Sequence, residues 1–276
     1  MCCFAKRSCA VEECPEHYLT IVLAGHREMT GRMIDLDHPF VQQQLFFPRK
    51  SDQALRSADK WEVGCKDGAK LRCFYRAPVQ ARGKLIVHFH GNGELVSDYA
   101  CDPRPDSLLA LLYTKLGLGV CFVEFRGYGE SSGSCSMSKM LTDVTAVREA
   151  LAHEKKVEAK DIIVFGRSIG SLFAIHLAAQ APVAGLILDS GIGDPEAWAG
   201  ARLAALAPAL RGADDKELLS SPLFVKLHAQ LQQLLDNKAK LAEFKSPLLV
   251  LHTKDDRCAL ARLHSATGRL NSRALC

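Results

Sequence analysis

The feature that most constrains the fold is a recurring short run of apolar residues, each followed by a turn or a stretch with helical spacing. The runs are continuous rather than alternating, which is typical of strands buried on both faces of a sheet. They lie at residues 84–90, 119–125, 161–165, 183–188 and 247–252. Alternation of such strands with helices predicts an α/β fold, a mostly parallel sheet with helices on both faces. Ligands bind such sheets beyond the carboxyl ends of the strands, so we expect a functional site there.

A hairpin and further helices complete the predicted framework. Residues 61–64 and 71–76 flank the turn signal Asp67-Gly68, which predicts two antiparallel strands. Helical spacing or composition predicts helices at residues 107–116, 138–153 and 169–180.

Length and composition exclude several classes of protein. The 276 residues suit one α/β domain with an extension or an insertion. The chain is 48% hydrophobic and 24% charged, which excludes a mainly disordered or fibrous protein. The net charge of +4 is small and scattered, so we expect no nucleic-acid partner.

Cysteine usage indicates the compartment. The eleven cysteines are an odd number with irregular spacing, and no export signal is evident. We therefore expect reduced thiols and a cytoplasmic location. No apolar run is long enough to span a membrane, and nothing in the sequence indicates a metal ion or an organic cofactor.

Residues 1–60 differ from the rest and are interpreted as a partly disordered N-terminal extension, with a polar linker at 48–60. Three interpretations of its cysteines stay open. Cys2 and Cys3, beside basic residues, could be S-acylated and give peripheral membrane contact. Cys2, Cys3, Cys9, Cys14 and His17 could hold a metal ion, although their spacing matches no known ligand pattern. The simplest interpretation is a tail with incidental cysteines.

A long stretch without a strand lies between the last two apolar runs. Residues 192–245 contain an Ala/Leu-rich segment and a second segment with leucines four residues apart. Because the stretch follows a strand at the predicted ligand edge, it is interpreted as a helical cap inserted over a pocket. The alternative is that these helices simply pack against the sheet.

The motif that carries chemistry is Gly166-Arg167-Ser168-Ile169-Gly170, placed between an apolar strand and an Ala-rich helix. This is G-x-S-x-G in the strand–turn–helix context that presents a nucleophilic serine. The glycines let neighbouring chains pass closely, and the helix N-terminus favours developing negative charge near Ser168.

Two further loops follow strands at the same predicted edge. The first, residues 90–94 (HGNGE), is small enough for a backbone N–H to approach a substrate carbonyl and, with the N–H of Ile169, to form an oxyanion hole. The second, residues 125–131 (FRGYGES), is a glycine-rich turn that lacks the ending of a phosphate-binding P-loop.

Taken in order, strand–HGNGE, strand–FRGYGESSG, strand–GRSIG–helix and strand–LHTKDD resemble the α/β-hydrolase superfamily. Within it they look most like serine-aminopeptidase-like hydrolases and related depalmitoylating thioesterases. The resemblance covers residues ~61 to ~266 and implies a nucleophile at Ser168 with oxyanion donors at the backbone of Asn92 and Ile169. It places the catalytic acid at Asp256, with Asp255 and Asp189 as alternatives.

The same order implies a histidine base in a loop after one more helix and strand, which needs roughly 20–30 residues beyond Asp256. The chain has 20 residues after Asp256, the lower limit of that range. The final segment 271–276 does not have a strand pattern. The C-terminal strand and histidine loop are therefore expected to be missing, with His264 a weak candidate for the base. Three explanations stay open: a truncated hydrolase, a catalytically weakened binding protein, or recruitment of another histidine.

Two functions follow. The first is a serine hydrolase that cleaves an ester, thioester or amide bond of a small-molecule or acylated substrate through an acyl-enzyme on Ser168. The second is a binding protein of the same fold that lacks the base.

Overall fold

A computed structural model describes residues 36–80, 83–204, 222–252 and 273–275. The predictions for Cys2, Cys3, Asp255, Asp256 and His264 lie outside these residues. The described chain forms an eight-stranded sheet in the order β1-β2-β4-β3-β5-β6-β7-β8. The pairs β1/β2 and β2/β4 are antiparallel, and every other pair is parallel. The predicted mostly parallel α/β fold is confirmed.

The strands follow the apolar runs closely. Their bounds are β1 Lys60–Gly64, β2 Lys70–Arg76, β3 Leu85–Phe89, β4 Gly119–Val123, β5 Ile162–Arg167, β6 Gly185–Asp189, β7 Leu248–Leu251 and β8 Arg273–Leu275. Strands β3 and β4 are buried along their whole length, as their continuous apolar sequences predicted. The hairpin turn is also confirmed, with Gly68 at a φ of 84°.

The helices are α1 Pro39–Leu45, α2 Val96–Ala100, α3 Met137–Glu154, α4 Gly170–Gln180, α5 Pro195–Ala204, α6 Pro222–Leu235 and α7 Asn237–Glu243. The predicted helix at 107–116 is instead mostly a π-helical segment, Ala110–Lys115. Helix α3 begins where the Ser136 hydroxyl accepts a hydrogen bond from the N–H of Lys139.

The sheet separates two cores of unequal size. The larger core packs the odd-numbered residues of β3 and the even-numbered residues of β6 against α3 and α4. The smaller core, on the opposite face, contains Phe74, Ile86, Phe122 and Phe165. Because side chains alternate along each strand, Arg167 and Asp189 project on the face of the smaller core, at its upper rim.

Residues 36–60, the described part of the predicted N-terminal extension 1–60, pack against the sheet. Leu36, Val41, Leu45 and Phe46 are buried in the larger core. Helix α1 is short and lacks a strong sequence pattern, so its burial depends on tertiary contacts rather than on local propensity. The polar segment that follows is also fixed, since Arg49 pairs with Asp98 at 3.0 Å.

The expectation that the C-terminal strand is missing is also corrected. Residues Arg273–Leu275 form β8 and pair in parallel with β7, with Leu249 opposite Arg273. A three-residue strand has too few side chains to show a pattern of its own. Its conformation is set by the hydrogen-bonding edge of β7 rather than by its own sequence.

The stretch expected to form a cap, 192–245, divides into helices with different neighbours. Helix α5 contacts α1 and α6, whereas α7 packs against α4, on the larger-core face of the sheet. The break between α6 and α7 falls at Asp236, whose carboxylate accepts a hydrogen bond from the N–H of Ala239. The last helix is therefore part of the layer that covers the sheet.

Candidate active site

The turn that carries Ser168 has the geometry its glycines predicted. Ser168 has a φ of 49°, in the left-handed region that residues with side chains seldom occupy. A Cβ atom on Gly166 would lie 2.6 Å from the Cβ of Ala174, and one on Gly170 would lie 2.1 Å from the carbonyl oxygen of Phe89. The turn is thus held between β3 and α4, with no room for a larger residue at either glycine.

Backbone hydrogen bonds fix Ser168 in this conformation. Its N–H donates to the carbonyl of Asp189 at 2.9 Å, and its own carbonyl accepts from the N–H and the hydroxyl of Ser171. One strand further along, Ser190 repeats the arrangement, with a φ of 49° and its N–H donating to the carbonyl of Leu251. Within the described residues, neither the Ser168 hydroxyl nor the Ile169 N–H has a hydrogen-bond partner.

The loop at 90–94 rests on a buried pair of ionisable side chains. Nδ1 of His90 lies 2.8 Å from the carbonyl oxygen of Gly91, and Nε2 lies 2.8 Å from Oε1 of Glu124. Burial lowers the pKa of His90, but the carboxylate of Glu124 and the two hydrogen bonds outweigh it, so the pKa lies above its ordinary value. A protonated His90 donates from one ring nitrogen to the Gly91 carbonyl and from the other to Glu124, and so links the loop to the residue that follows β4.

The same contacts determine which backbone N–H of this loop stays available. The Gly91 N–H donates to Oε2 of Glu94 at 2.6 Å, and the Gly91 carbonyl accepts from His90. No cis peptide bond occurs among the described residues, so the N–H of Asn92 points away from the Gly91 carbonyl and from His90. The Asn92 N–H has no acceptor in the described chain, as a predicted oxyanion donor requires.

The side chain of Asn92 has a role that the sequence did not indicate. Its Oδ1 accepts hydrogen bonds from the N–H of Phe47 and the hydroxyl of Tyr128, at 2.8 and 2.7 Å. Its Nδ2 donates to the carbonyl of Leu45. Asn92 therefore fastens the end of α1 to the loop, while only its backbone faces the site.

A charged network around Arg167 was also not predicted. Nε of Arg167 donates to Oε1 of Glu94, and one terminal nitrogen donates to Oδ2 of Asp189, both at 2.8 Å. Oε2 of Glu94 accepts a further hydrogen bond from the Tyr99 hydroxyl. The carboxylate of Asp189, an alternative position for the catalytic acid, is therefore paired with Arg167.

The glycine-rich turn at 125–131 connects separate elements of the fold. The guanidinium of Arg126 is buried and makes paired hydrogen bonds with Asp143 of α3 and with Asp67 of the β1–β2 turn. Gly127 and Gly129 have φ values of 80° and 50°, which a residue with a side chain rarely adopts. The turn therefore joins three elements, and the backbone N–H groups of Gly127 and Gly129 donate to carbonyl oxygens of the protein.

The fold and site geometry agree with a known family. The profile of the alpha/beta hydrolase family matches residues 86–274, more than half of the chain. The chain belongs to this family. The esterase Pf2001 of Pyrococcus furiosus superposes on this hydrolase with a TM-score of 0.57 and 19% identity, over 83% of this chain and 85% of that chain. An identity this low supports the fold alone.

Sequence relatives of this α/β hydrolase extend the comparison. The alpha/beta hydrolase domain-containing protein WAV2 of Arabidopsis thaliana is 26% identical over 201 residues, covering 72% of this chain and 61% of WAV2. An uncharacterized protein of Mycobacterium tuberculosis is 38% identical over 129 residues, covering 46% of this chain and 43% of that protein. The chain thus spans less than two thirds of the length of these curated relatives.

The structure brings together part of the predicted site of the hydrolase. Because β3 and β5 are neighbours in register, the loop carrying Asn92 and the turn carrying Ser168 and Ile169 leave the sheet side by side. His252 follows β7 at the same edge, and its ring nitrogens are buried without a hydrogen-bond partner in the described chain. The part of the chain that the structure describes contains no cluster of three or more side chains suited to bind a metal ion. None of the described helices is long and apolar enough to cross a bilayer.

A cleft of about 910 Å³ lies on the far side of the 90–94 loop. Its walls include Phe46, Phe47, Gly93, Gly127 and Lys139. Ser168 does not line the cleft, and the sequence analysis did not predict it because no helix was predicted at residues 39–45. Helix α1 and the loop that carries Asn92 both line this cleft.

Proposed function

We propose that this chain is a serine hydrolase that cleaves an ester, thioester or amide bond through an acyl-enzyme on Ser168. The observation that carries the proposal is the Ser168 turn itself. A serine in a left-handed conformation lies at the carboxyl edge of a parallel sheet, and among the described residues its hydroxyl and the N–H groups of Asn92 and Ile169 have no hydrogen-bond partner. Strain of this kind is retained where the surrounding structure imposes it, often at functional sites.

The proposed reaction begins with attack of the Ser168 oxygen on the substrate carbonyl carbon while a base takes the hydroxyl proton. The Asn92 and Ile169 N–H groups donate to the resulting oxyanion, each worth about 2.7–4 kcal/mol. Collapse of the intermediate expels the alcohol, thiol or amine, which takes up the proton. Water then attacks the acyl carbon and gives a proton to the base, the bond to the Ser168 oxygen breaks with return of that proton to it, and the carboxylic acid is released.

Sequence order suggests the acid of this mechanism and leaves its base unassigned, with His264 as a weak candidate. Asp256 follows β7, where the family keeps the acid, and it would orient the histidine. Among the histidines of the chain, His264 is the one that follows Asp256. If neither serves, the alternative function is a binding protein of the same fold that holds an acyl ligand without turnover.

A fluorophosphonate probe tests the nucleophile, because it phosphonylates an activated serine. We expect the wild-type protein to be labelled at Ser168, by peptide mass mapping, and to hydrolyse p-nitrophenyl acetate. Ser168→Ala should lose both, whereas the exposed Ser57→Ala should keep both. Labelling that survives in Ser168→Ala would show the assignment to be wrong. Ligand binding without labelling in either protein would favour the binding alternative.

We also propose that the protein works in the cytoplasm on a small-molecule or acylated substrate, with peripheral membrane contact through acylated Cys2 and Cys3. Thiols beside Lys6 and Arg7 support this, since two lipid chains together give stable anchoring. Hydroxylamine-sensitive acyl exchange should detect the modification, and Cys2→Ser with Cys3→Ser should move the protein from the membrane to the soluble fraction. A wild-type protein found only in the soluble fraction would argue against it.

A further inference from the structure

We propose that Glu94 is a positioning residue, which bridges the loop that carries Asn92 to the turn that carries Ser168 through Arg167. The inference rests on the proposed function, since it assigns these two segments the donor and the nucleophile. We call the contact between Glu94 and Arg167 the Glu94–Arg167 bridge.

Three hydrogen bonds converge on the carboxylate of Glu94, one of them from Arg167. Oε1 of Glu94 accepts from Nε of Arg167 at 2.8 Å, and Oε2 accepts from the Gly91 N–H at 2.6 Å and from the Tyr99 hydroxyl at 2.5 Å. The Glu94 side chain is 26% exposed, so water competes weakly with these donors. One side chain therefore contacts the loop, helix α2 and the residue that precedes Ser168.

The Gly91 contact determines the donor geometry. Glu94 occupies the Gly91 N–H, which would otherwise be a second N–H free to turn toward the site. The carbonyl of the same residue, Gly91, is also fixed, because it accepts hydrogen bonds from His90 and from the N–H of Glu94. With both groups of Gly91 engaged, the following peptide has little freedom, and the Asn92 N–H keeps one direction.

The Arg167 contact determines the distance between donor and nucleophile. Arg167 is held from both sides, by Glu94 and by Asp189, and Asp189 also accepts the N–H of Ser168. Burial raises the pKa of Glu94, but the hydrogen bonds from Arg167 and Tyr99 outweigh it and lower the pKa overall. The carboxylate therefore stays charged at neutral pH and holds Arg167 throughout catalysis.

Because Glu94 is not assigned a contact with the substrate, loss of the bridge should affect kcat more than KM. Removing an oxyanion donor lowers kcat about 10²–10³-fold, and a displaced donor should lose part of that. We expect Glu94→Gln to lower kcat about ten- to a hundredfold while KM changes less than about threefold. Glutamine keeps the shape and one acceptor oxygen but not the charge.

Two measurements test the bridge, and the first does not depend on activity. Hydrogen–deuterium exchange of the peptide that contains residues 90–95 should speed up in Glu94→Gln and in Arg167→Met, and the double variant should exchange no faster than the faster single variant. Glu62→Gln is the matched control, since Glu62 also pairs with two cations, Lys70 and Arg72, on the hairpin. It should leave the exchange of this peptide unchanged.

Steady-state kinetics with p-nitrophenyl acetate are the second measurement, with thermal melting recorded for each variant. Unchanged exchange in both single variants, or additive exchange in the double variant, would overturn the bridge. A fall in kcat equal to that in the Glu62→Gln control would overturn its role in positioning. If wild-type protein neither turns over nor labels, the proposed function fails, and the exchange data still decide whether the bridge exists.

Discussion

Gly170 is the residue with the least space in the Ser168 turn. Alanine is normally the better helix former by about 1 kcal/mol, so at an open position the exchange would stabilise α4. Here the added Cβ would lie 2.1 Å from the Phe89 carbonyl oxygen and 2.6 Å from that of His90. Both neighbours are backbone atoms, which cannot rotate away, so the contact must push β3 and α4 apart.

We therefore expect Gly170→Ala to lower the free energy of unfolding by about 2 kcal/mol or more and to slow fluorophosphonate labelling of Ser168. The control is Gly64→Ala at the end of β1, where a Cβ would meet no atom within 4 Å. It should change stability by less than about 0.5 kcal/mol. Equal stabilities of the two variants in urea denaturation would contradict the geometry of the turn.

His88 gives the protein a specific sensitivity to acid. Its ring is buried among Tyr99, Phe122 and Phe165, and neither nitrogen has a hydrogen-bond partner among the described residues. Burial, together with the nearby charge of His90, lowers the pKa of His88 to about 3. The unfolded chain binds a proton near pH 6.5, so below that pH protonation favours the unfolded state.

The stability that depends on neutral His88 is thus present above about pH 6.5 and lost as the pH falls toward about 3. Per pH unit the loss is about 1.4 kcal/mol, so it should reach about 2 kcal/mol at pH 5. We expect wild-type protein to lose that much relative to His88→Leu between pH 7 and pH 5, measured by urea denaturation at each pH. Parallel pH profiles for the two proteins would show that His88 is not the sensitive group.

Local motifs were easier to recognise in the sequence than the contacts that hold them in place. G-x-S-x-G indicated Ser168 because two glycines and a strand–helix junction are all local features. The contact of the Asn92 side chain with Leu45 and the contact of Glu94 with Arg167 had no such signal, because the partners lie tens of residues apart along the chain. A polar residue in a motif cannot show from sequence alone which distant group it contacts.

At the scale of elements, the sequence was most informative for strands buried on both faces. The apolar runs of β3 and β5 predicted those strands to within two residues at each end. Helix α1 and strand β8 were missed for the same reason, since each is short and gains its conformation from a neighbour. The hydrophobic contacts of α1 come from its position in the larger core rather than from its own pattern.

A matched pair of leucine substitutions tests whether α1 belongs to the folded body. Leu45, the last residue of α1, is 0% exposed, whereas Leu116 is 66% exposed. We expect Leu45→Ala to lower the free energy of unfolding by about 2–5 kcal/mol and Leu116→Ala by less than about 1 kcal/mol. A Leu45→Ala variant as stable as Leu116→Ala in chemical denaturation would place α1 outside the core.

For the whole molecule, one buried guanidinium joins segments that are far apart in sequence. Arg126 follows β4, while its partners Asp67 and Asp143 belong to the β1–β2 turn and to α3. Its side chain is 2% exposed, so removing it leaves Asp143 buried without its partner. The antiparallel edge of the sheet is thereby fixed to the helix layer.

We expect Arg126→Met to destabilise the protein by about 3–5 kcal/mol, because a charge is left buried and unpaired. The comparison is Lys60→Met, which removes an ion pair with Glu130 in which both side chains are about one-third exposed. That loss should stay below about 1 kcal/mol. The difference is measurable by thermal or urea denaturation, and similar losses in the two variants would contradict the account of Arg126.

The backbone bonds from Ser168 to Asp189 and from Ser190 to Leu251 have a consequence for how such a protein can change over generations. Each bond extends the backbone hydrogen bonding between two strands by one residue, beyond the end of β5 or β6 and into the turn that follows. The height of Ser168 above the rim is therefore set by main-chain atoms, and any residue except proline supplies the N–H that such a bond needs. Side chains at the rim that hold no loop, unlike Arg167 and Asp189, can therefore be exchanged without moving Ser168. The choice of substrate can therefore change during evolution while the Ser168 turn keeps its conformation.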